Sequence, residues 1–302
     1  MIDILCMGHA AYDITYYLDE FPVEDQKYYT TKSLECGGGP SANAAVLLSR
    51  WRIPSAYGGI VGDDAFGNAI ISEFERDKVD TSLVNMIPGA MTPQSAIIIN
   101  AGGHRTLINR RESDGDYPYI VNEKLDAVSP QVLLADGYYP ELAQAALKKF
   151  PEAPFILDGG SVHEGTKALA PHADFLLVSE SFAKSWTGMG EIQSEEDMEK
   201  AVEAIAGING RYAAITLGER GLIYASPDGK GFIPAFKVDA LDTTGAGDVF
   251  HGAFAYCIFW GMDFEESLQF SALAASMSVQ KEGARTSIPP LDDVLDAYER
   301  LA

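Results

Sequence analysis

At 302 residues the chain has room for one large α/β domain, or one domain with a smaller appendage. Its apolar content of 47% supports a full globular core, and a formal charge of −22, from 22 basic and 44 acidic residues, disfavours nucleic acid and anionic membranes as partners. Three cysteines, Cys6, Cys36 and Cys257, are far apart and lack metal-ligand spacing, so they read as small buried hydrophobes in a reducing compartment.

The opening MIDILCMGHA has no basic leader and too short an apolar run for a signal peptide. Its Ile2–Met7 stretch reads as a first buried strand. The next segment, Tyr12–Glu35, is rich in Tyr and Thr and alternates polar with apolar residues, which predicts strands. Pro40–Trp51 is helix-like, with Pro40 acceptable at a helix start. Ala56–Val61 reads as a strand and Ala65–Arg76 as an amphipathic helix. Gln94–Asn109 reads as two short strands around AGGHR, a hairpin signal. Neither Tyr12–Glu35 nor Gln94–Asn109 is expected to lead into a helix. The two should pair as a small sheet, a lid of about residues 12–35 and 92–112 inserted into one α/β body spanning 1–302.

Beyond the lid, strands are expected at Val132–Ala135, Phe155–Leu157, Phe175–Val178 and Ala213–Leu217, with helices at Glu141–Lys149 and Glu195–Ala206 between them. This alternation predicts a doubly wound, mostly parallel sheet flanked by helices. Helices follow at Ala246–Trp260, Phe264–Gln280 and Leu291–Leu301. Phe250, Ala253, Phe254, Cys257 and Ile258 keep helical spacing, Val249, Tyr256 and Trp260 make a second apolar face, and Gly261 is the expected stop. This run, the most apolar in the chain, is broken by His251 and two glycines and is too short to span a membrane. The expected location is the cytoplasm.

The chemistry concentrates in DTTGAGDVFHGAF, Asp242 to Phe254. Glycines opening a helix let an anion approach unpaired N–H groups at the positive end of the helix dipole, so Gly245, Ala246 and Gly247 can form an anion hole. An ordinary turn with Asp248 as a helix cap is the competing reading. A P-loop is excluded because Gly229-Lys230 is followed by Gly231 and has no upstream glycine; a dinucleotide fingerprint would need glycine where Phe250 stands.

The stretch DTTGAGDVFHGAFA resembles the C-terminal signature of the PfkB (ribokinase-like) sugar kinases. GGPSANAA, Gly38 to Ala45, followed by Gly62 of VGDD, resembles the N-terminal signature, with Ser41 and Arg52 departing from it. The resemblance covers essentially the whole chain. It implies that Asp248 is a general base, deprotonating a sugar hydroxyl that attacks the γ-phosphate of ATP while the anion hole receives the phosphoryl charge and Mg²⁺ offsets repulsion. It further implies a nucleotide-phosphate loop at TLGERG with Thr216, Gly218, Glu219 and Gly221, a hairpin turn being the alternative. Asp242 and Thr244 would hold a monovalent cation such as K⁺. Asp13, Gly38, Gly39 and Asn43 would bind sugar. Where the family carries N-x-x-E near Mg²⁺, this chain has Ser179-Glu180-Ser181-Phe182, leaving Glu180 as the candidate ligand.

GGGPSANAAV, QSAIII, LADG, PAFKVDALDTTGAGDVFHGA and EGARTSIP resemble the fructokinase and sulfofructose-kinase branch, which implies a ketohexose such as fructose or a 6-substituted fructose. Lys27, Asn109, Arg110 and Arg111, with His104 and Arg105, make a local basic patch that would hold an anionic substituent or ATP phosphates, or serve lid solubility and dimer salt bridges. Gly137-Tyr138 after LAD disfavours a sulfonate. Tyr12, Tyr16 and Tyr17 keep a nucleoside kinase open, and a non-catalytic sensor is the reading from another class. The family resemblance also implies a homodimer through the lid.

Overall fold

The computed structural model describes residues 2–102, 104–110, 119–121 and 123–301. In chain order the strands and helices are β1 (Ile4–Met7), β2 (Ala11–Tyr17), β3 (Ser33–Gly38), α1 (Pro40–Arg50), β4 (Ser55–Gly62), α2 (Ala65–Arg76), β5 (Asp80–Ile87), β6 (Gln94–Ile99) and β7 (Arg105–Arg110). Then come β8 (Val132–Ala135), α3 (Pro140–Lys149), β9 (Phe155–Gly159), α4 (Glu164–Leu169), β10 (Phe175–Ser179), α5 (Glu180–Thr187), α6 (Glu195–Asn209) and β11 (Tyr212–Thr216). A hairpin, β12 (Leu222–Ser226) and β13 (Gly229–Ile233), precedes three helices, α7 (Ala246–Phe259), α8 (Phe264–Ser278) and α9 (Leu291–Glu299).

The main sheet has nine strands in the order β13-β12-β11-β10-β9-β8-β1-β4-β5. From β5 across to β11 neighbours run parallel; the β11–β12 and β12–β13 pairs at one edge are antiparallel. Parallel strands covered on both faces need apolar residues at every position. β1 obeys: Ile4 and Cys6 enter the core shared with α1, α7 and α8, while Leu5 and Met7 enter the core shared with α3, α4 and α6. Trp51, fully buried after α1, stacks edge-on against Tyr256 and Phe270 and donates its indole N–H to Pro289 O at 2.9 Å. Burial of a side chain this size stabilises by upwards of ~2 kcal/mol, so it clamps α1 to α7 and α8.

A second sheet of four strands, β3-β2-β6-β7, stands apart. β2 and β6 pair in parallel with Asp13 opposite Ser95, and β3 and β7 flank them antiparallel. It is much less buried: every residue of β7 is exposed.

Three differences from the sequence expectation stand out. β3 does run into a helix: only Gly39 separates it from α1. β5 joins the main sheet as its edge, although DTSLVNMI carries Asp, Thr, Ser and Asn; Leu83 is buried in one core and Val84 packs against the other. Trp260 is 62% exposed rather than part of a buried face, since α7 ends at Phe259 and the chain turns away at Gly261, φ 72°.

Candidate active site

From β1 the chain winds outward through β4 to β5; from β8 it winds the other way through β9, β10 and β11. The reversal between β1 and β8 opens a crevice at the carboxyl ends of the strands, where open α/β sheets bind ligands. A cavity of about 320 Å³ lies there, lined by His9 and Tyr138 at the ends of β1 and β8, Asp13, Ser95, Asn109 and Arg110 from the small sheet, Gly39 and Asn43 from the start of α1, and Thr244, Gly245 and Asp248 from the start of α7.

Two glycines make this convergence possible. Gly39 has φ 101°, and a Cβ there would sit 2.3 Å from His9 O. Gly245 caps α7 with φ 77°, and a Cβ would sit 2.7 Å from that of Ala284. Any side chain would push the helix starts away from the pocket. With Gly245 as cap, Ala246 and Gly247 are the first helical residues, and Asp248 falls in the first turn, where the dipole favours a carboxylate.

Asp248 is half-buried and accepts a hydrogen bond from Asn43 Nδ2 at 2.6 Å. Burial pushes its carboxyl above the ordinary carboxylate range, opposed by the Asn43 bond and by the charges of His251, Arg105 and Arg285. Asp13 is also pushed up, by burial and by Asp248, against a hydrogen bond from Ser95 and the charge of Arg285. Arg105 reaches back across the mouth and donates to Thr244 Oγ1 at 3.2 Å.

Beneath the pocket lie three buried groups that the sequence reading did not single out. Asp136 accepts backbone N–H bonds from His9 (2.9 Å), Ser41 (3.2 Å) and Tyr138 (3.1 Å), so one carboxylate ties together three segments of the pocket wall. Burial lifts its pKa to about 7 despite those bonds. Asp158, at the end of β9, is lifted to about 6 by burial, with His251 opposing and Asp248 reinforcing. His251 Nδ1 faces Gly247 O (2.8 Å) and Asp158 Oδ2 (3.1 Å), while Nε2 faces Leu177 O (3.2 Å). Two of these neighbours are carbonyl oxygens and the third is a carboxylate oxygen, so the ring is held between three oxygens. The only sequence signals were LADG for Asp136 and the His inside the glycine motif.

The remaining expected residues divide. Thr216 ends β11, and Gly218, Glu219 and Gly221 form the tight turn into β12; none of them lines the cavity. Glu180 begins α5 next to that turn and pairs with Arg220 (2.6 Å) and Lys184 (3.1 Å). Burial raises its pKa, but these bonds and charges outweigh it and hold the carboxyl below its ordinary value. Asp242 is buried, its carboxylate accepting from Thr244 N (2.8 Å) and Gly283 N (2.9 Å). Gly38 closes β3 beside Asp13. Lys27 is exposed on the β2–β3 connection and does not line the cavity; Arg111 lies outside the described residues. Tyr12 packs on Phe66 with ring centroids 5.1 Å apart, and none of Tyr12, Tyr16 and Tyr17 lines the cavity.

The pfkB family carbohydrate kinase profile matches residues 1–291. The chain belongs to the PfkB family of carbohydrate kinases. It is 28% identical over 267 residues to the ribokinase of Staphylococcus aureus (85% of this chain, 86% of the relative) and 27% identical over 300 residues to that of Bacillus subtilis (97% and 98%). A ribokinase structure from Arabidopsis thaliana, complexed with ribose and ATP, superposes with a TM-score of 0.85 at 25% identity, covering 99% of both chains. Members of this PfkB family are phosphotransferases with an alcohol acceptor, and the two-sheet architecture is the ribokinase fold. These relatives are ribokinases, so nearness to fructokinases finds no support among them.

Proposed function

We propose that this PfkB kinase transfers the γ-phosphoryl group of ATP to a hydroxyl of a small sugar bound between Asp13 and Asp248. The observation that carries the reading is Asp248 itself: a carboxylate in the first turn of α7, held by Asn43, facing a cavity that also contains Asp13, Asn109 and Arg110. Asp248 takes the proton from the attacking hydroxyl. Its raised pKa makes it a better acceptor than an exposed carboxylate. The N–H groups of Gly245, Ala246 and Gly247 receive charge on the transferring group. Asp13, Asn43, Asn109 and the backbone at Gly38 and Gly39 hold the sugar, and the turn through Thr216, Gly218, Glu219 and Gly221 holds the nucleotide phosphates.

Metal ions fit unequally. Among the described residues no three His, Cys, Asp or Glu side chains gather as a cage, and Glu180 is already engaged with two cations, so a protein-held Mg²⁺ does not fit there. Mg²⁺ carried on ATP phosphates needs no such cage. The carbonyls of Asp242 and Thr244 stand on a loop pinned by the Asp242 carboxylate, a fixed geometry that suits K⁺.

The relatives' names favour ribose as acceptor, while LADG and EGARTSIP favour a ketohexose such as fructose. Arg110 at the cavity wall would suit a 6-substituent. An ADP-release screen over ribose, deoxyribose, fructose, fructose phosphates, sulfofructose and nucleosides decides. Turnover with ribose or fructose supports the reading. Tight sugar binding with no ADP release from any of them would identify a sensor instead. The exposed β7 edge suits pairing with a second copy, a homodimer through the small sheet. No helix among the described residues is long and apolar enough to cross a membrane, which accords with the proposed cytoplasmic location.

A further inference from the structure

Arg285, in EGARTSIP, is only 2% exposed and lies among the largest fully buried side chains. Its Nε donates to Asn43 Oδ1 at 2.9 Å and its Nη1 to Glu73 Oε2 at 2.6 Å, and the guanidinium lies over Phe74, 5.1 Å from the ring centroid. Glu73 Oε2 also accepts from Gly37 N at 2.9 Å. On the far side of Asn43, Nδ2 donates to Asp248 Oδ2 at 2.6 Å. The bonds form an unbroken line from the end of β3, through α2, to the carboxylate at the head of α7.

The line has a sense. A guanidinium only donates, so the oxygen of the Asn43 amide must face it and the amino group must face Asp248. Turning the amide over would set NH₂ against guanidinium and oxygen against carboxylate, two repulsions in a half-buried site. We propose that Arg285, locked by Glu73, is a positioning residue that orients the Asn43 amide and so holds one oxygen of Asp248, leaving the other for the substrate proton. This rests on the role assigned to Asp248 above. Other charged groups face the same carboxylate: His251 on its own helix and Arg105 on β7 favour its charged form, while Asp13 on β2 and Asp158 on β9 oppose it.

A merely structural ion pair makes a different prediction. Removing one member of a buried pair strands the other, whereas removing both charges is often neutral for stability. Arg285→Met alone is therefore expected to destabilise. Arg285→Met with Glu73→Gln removes both charges and keeps an acceptor for Gly37 N, and its urea midpoint should return close to wild type. The proposal expects kcat of this double variant to stay about ten- to a hundredfold down, less than the ~10²–10⁴-fold effect of a positioned base, with the KM for ATP within about twofold. Loss of the donor raises the Asp248 pKa, so the acid limb of kcat should move to higher pH, and a ¹³C titration of the Asp248 carboxyl, assigned by its loss in Asp248→Asn, should move the same way. Arg285→Lys, which keeps charge but not the fork, should fall between. A double variant whose kcat recovers with its stability, or an unmoved carboxyl titration, would overturn the proposal. If the wild-type chain phosphorylates no sugar, the kinase reading fails, and the carboxyl titration of Arg285→Lys, in which the charge that itself acts on Asp248 is kept, still decides the positioning role.

Discussion

Every residue of β1, β4, β8 and β9 in the nine-stranded sheet is buried, whereas every residue of β7 in the four-stranded sheet is exposed. Both sheets contribute to one pocket, but on different terms. The large sheet and its helices deliver Asp248, Asn43 and the clamp at Asp136, each fixed by buried or half-buried bonds. The small sheet delivers Asp13, Asn109 and Arg110 from a surface with little packing behind it. On the proposed reading, the chemistry sits on the part that cannot move cheaply, and the choice of sugar on the part that can.

The largest effect should come from the rigid side. Asp248→Asn is expected to lower kcat by ~10²–10⁴-fold while sugar and nucleotide binding, followed by calorimetry, stay nearly intact; near-wild-type turnover would sink the mechanism. Stability should show the same contrast between the sheets. Phe155→Ala on β9, fully buried, should cost about 3–5 kcal/mol in urea unfolding, and Ile108→Thr on β7, 62% exposed, less than about 0.5 kcal/mol. Equal costs would mean that the proposed dimer covers the face of β7 as well as pairing its edge.

The next effect concerns pH. Asp136 titrates at about 7 in the folded chain against an ordinary value of 3.8, so the folded state binds its proton more tightly than the unfolded state does. Its contribution to stability is fully present below the ordinary value and is lost as pH rises through about 7; Asp158, at about 6, acts in the same direction. Urea midpoints at pH 5 and pH 8 should therefore differ less in Asp136→Asn than in wild type. The smallest kinetic effect should lie in the small sheet. Asn109→Ala should raise the sugar KM roughly three- to tenfold with kcat within about twofold. A change in the KM for ATP instead would place β7 beside the nucleotide.

The sequence made some of this legible and hid the rest for physical reasons. β8, α2 and the start of α7 carry local signals, namely an apolar run, a clean amphipathic stripe and a glycine turn, and their positions were readable directly. β5 was not, because Asp, Thr, Ser and Asn interrupt its apolar run at a sheet edge. Asp13, Gly39, Asn43 and Asp248 were named from motifs and Asn109 from the basic patch, and they meet around one cavity. Glu73, Asp136, Asp158, His251 and Arg285 drew no such attention as site residues. Their partners lie far away in the chain: Arg285 is 242 residues from Asn43, and Asp158 finds His251 only across the sheet. A charged residue in a loop carries no local sign that it will be buried.

The Asp136 clamp has one more consequence, for the order in which the molecule is put together. Its carboxylate bonds residues 127 and 95 positions upstream, so the pocket floor closes only after β8 has docked beside β1. Closing loops of that length is slow relative to local helix formation. A chain still emerging from synthesis, with its first lobe already strand and helix, would have no sugar site at all until its middle arrived.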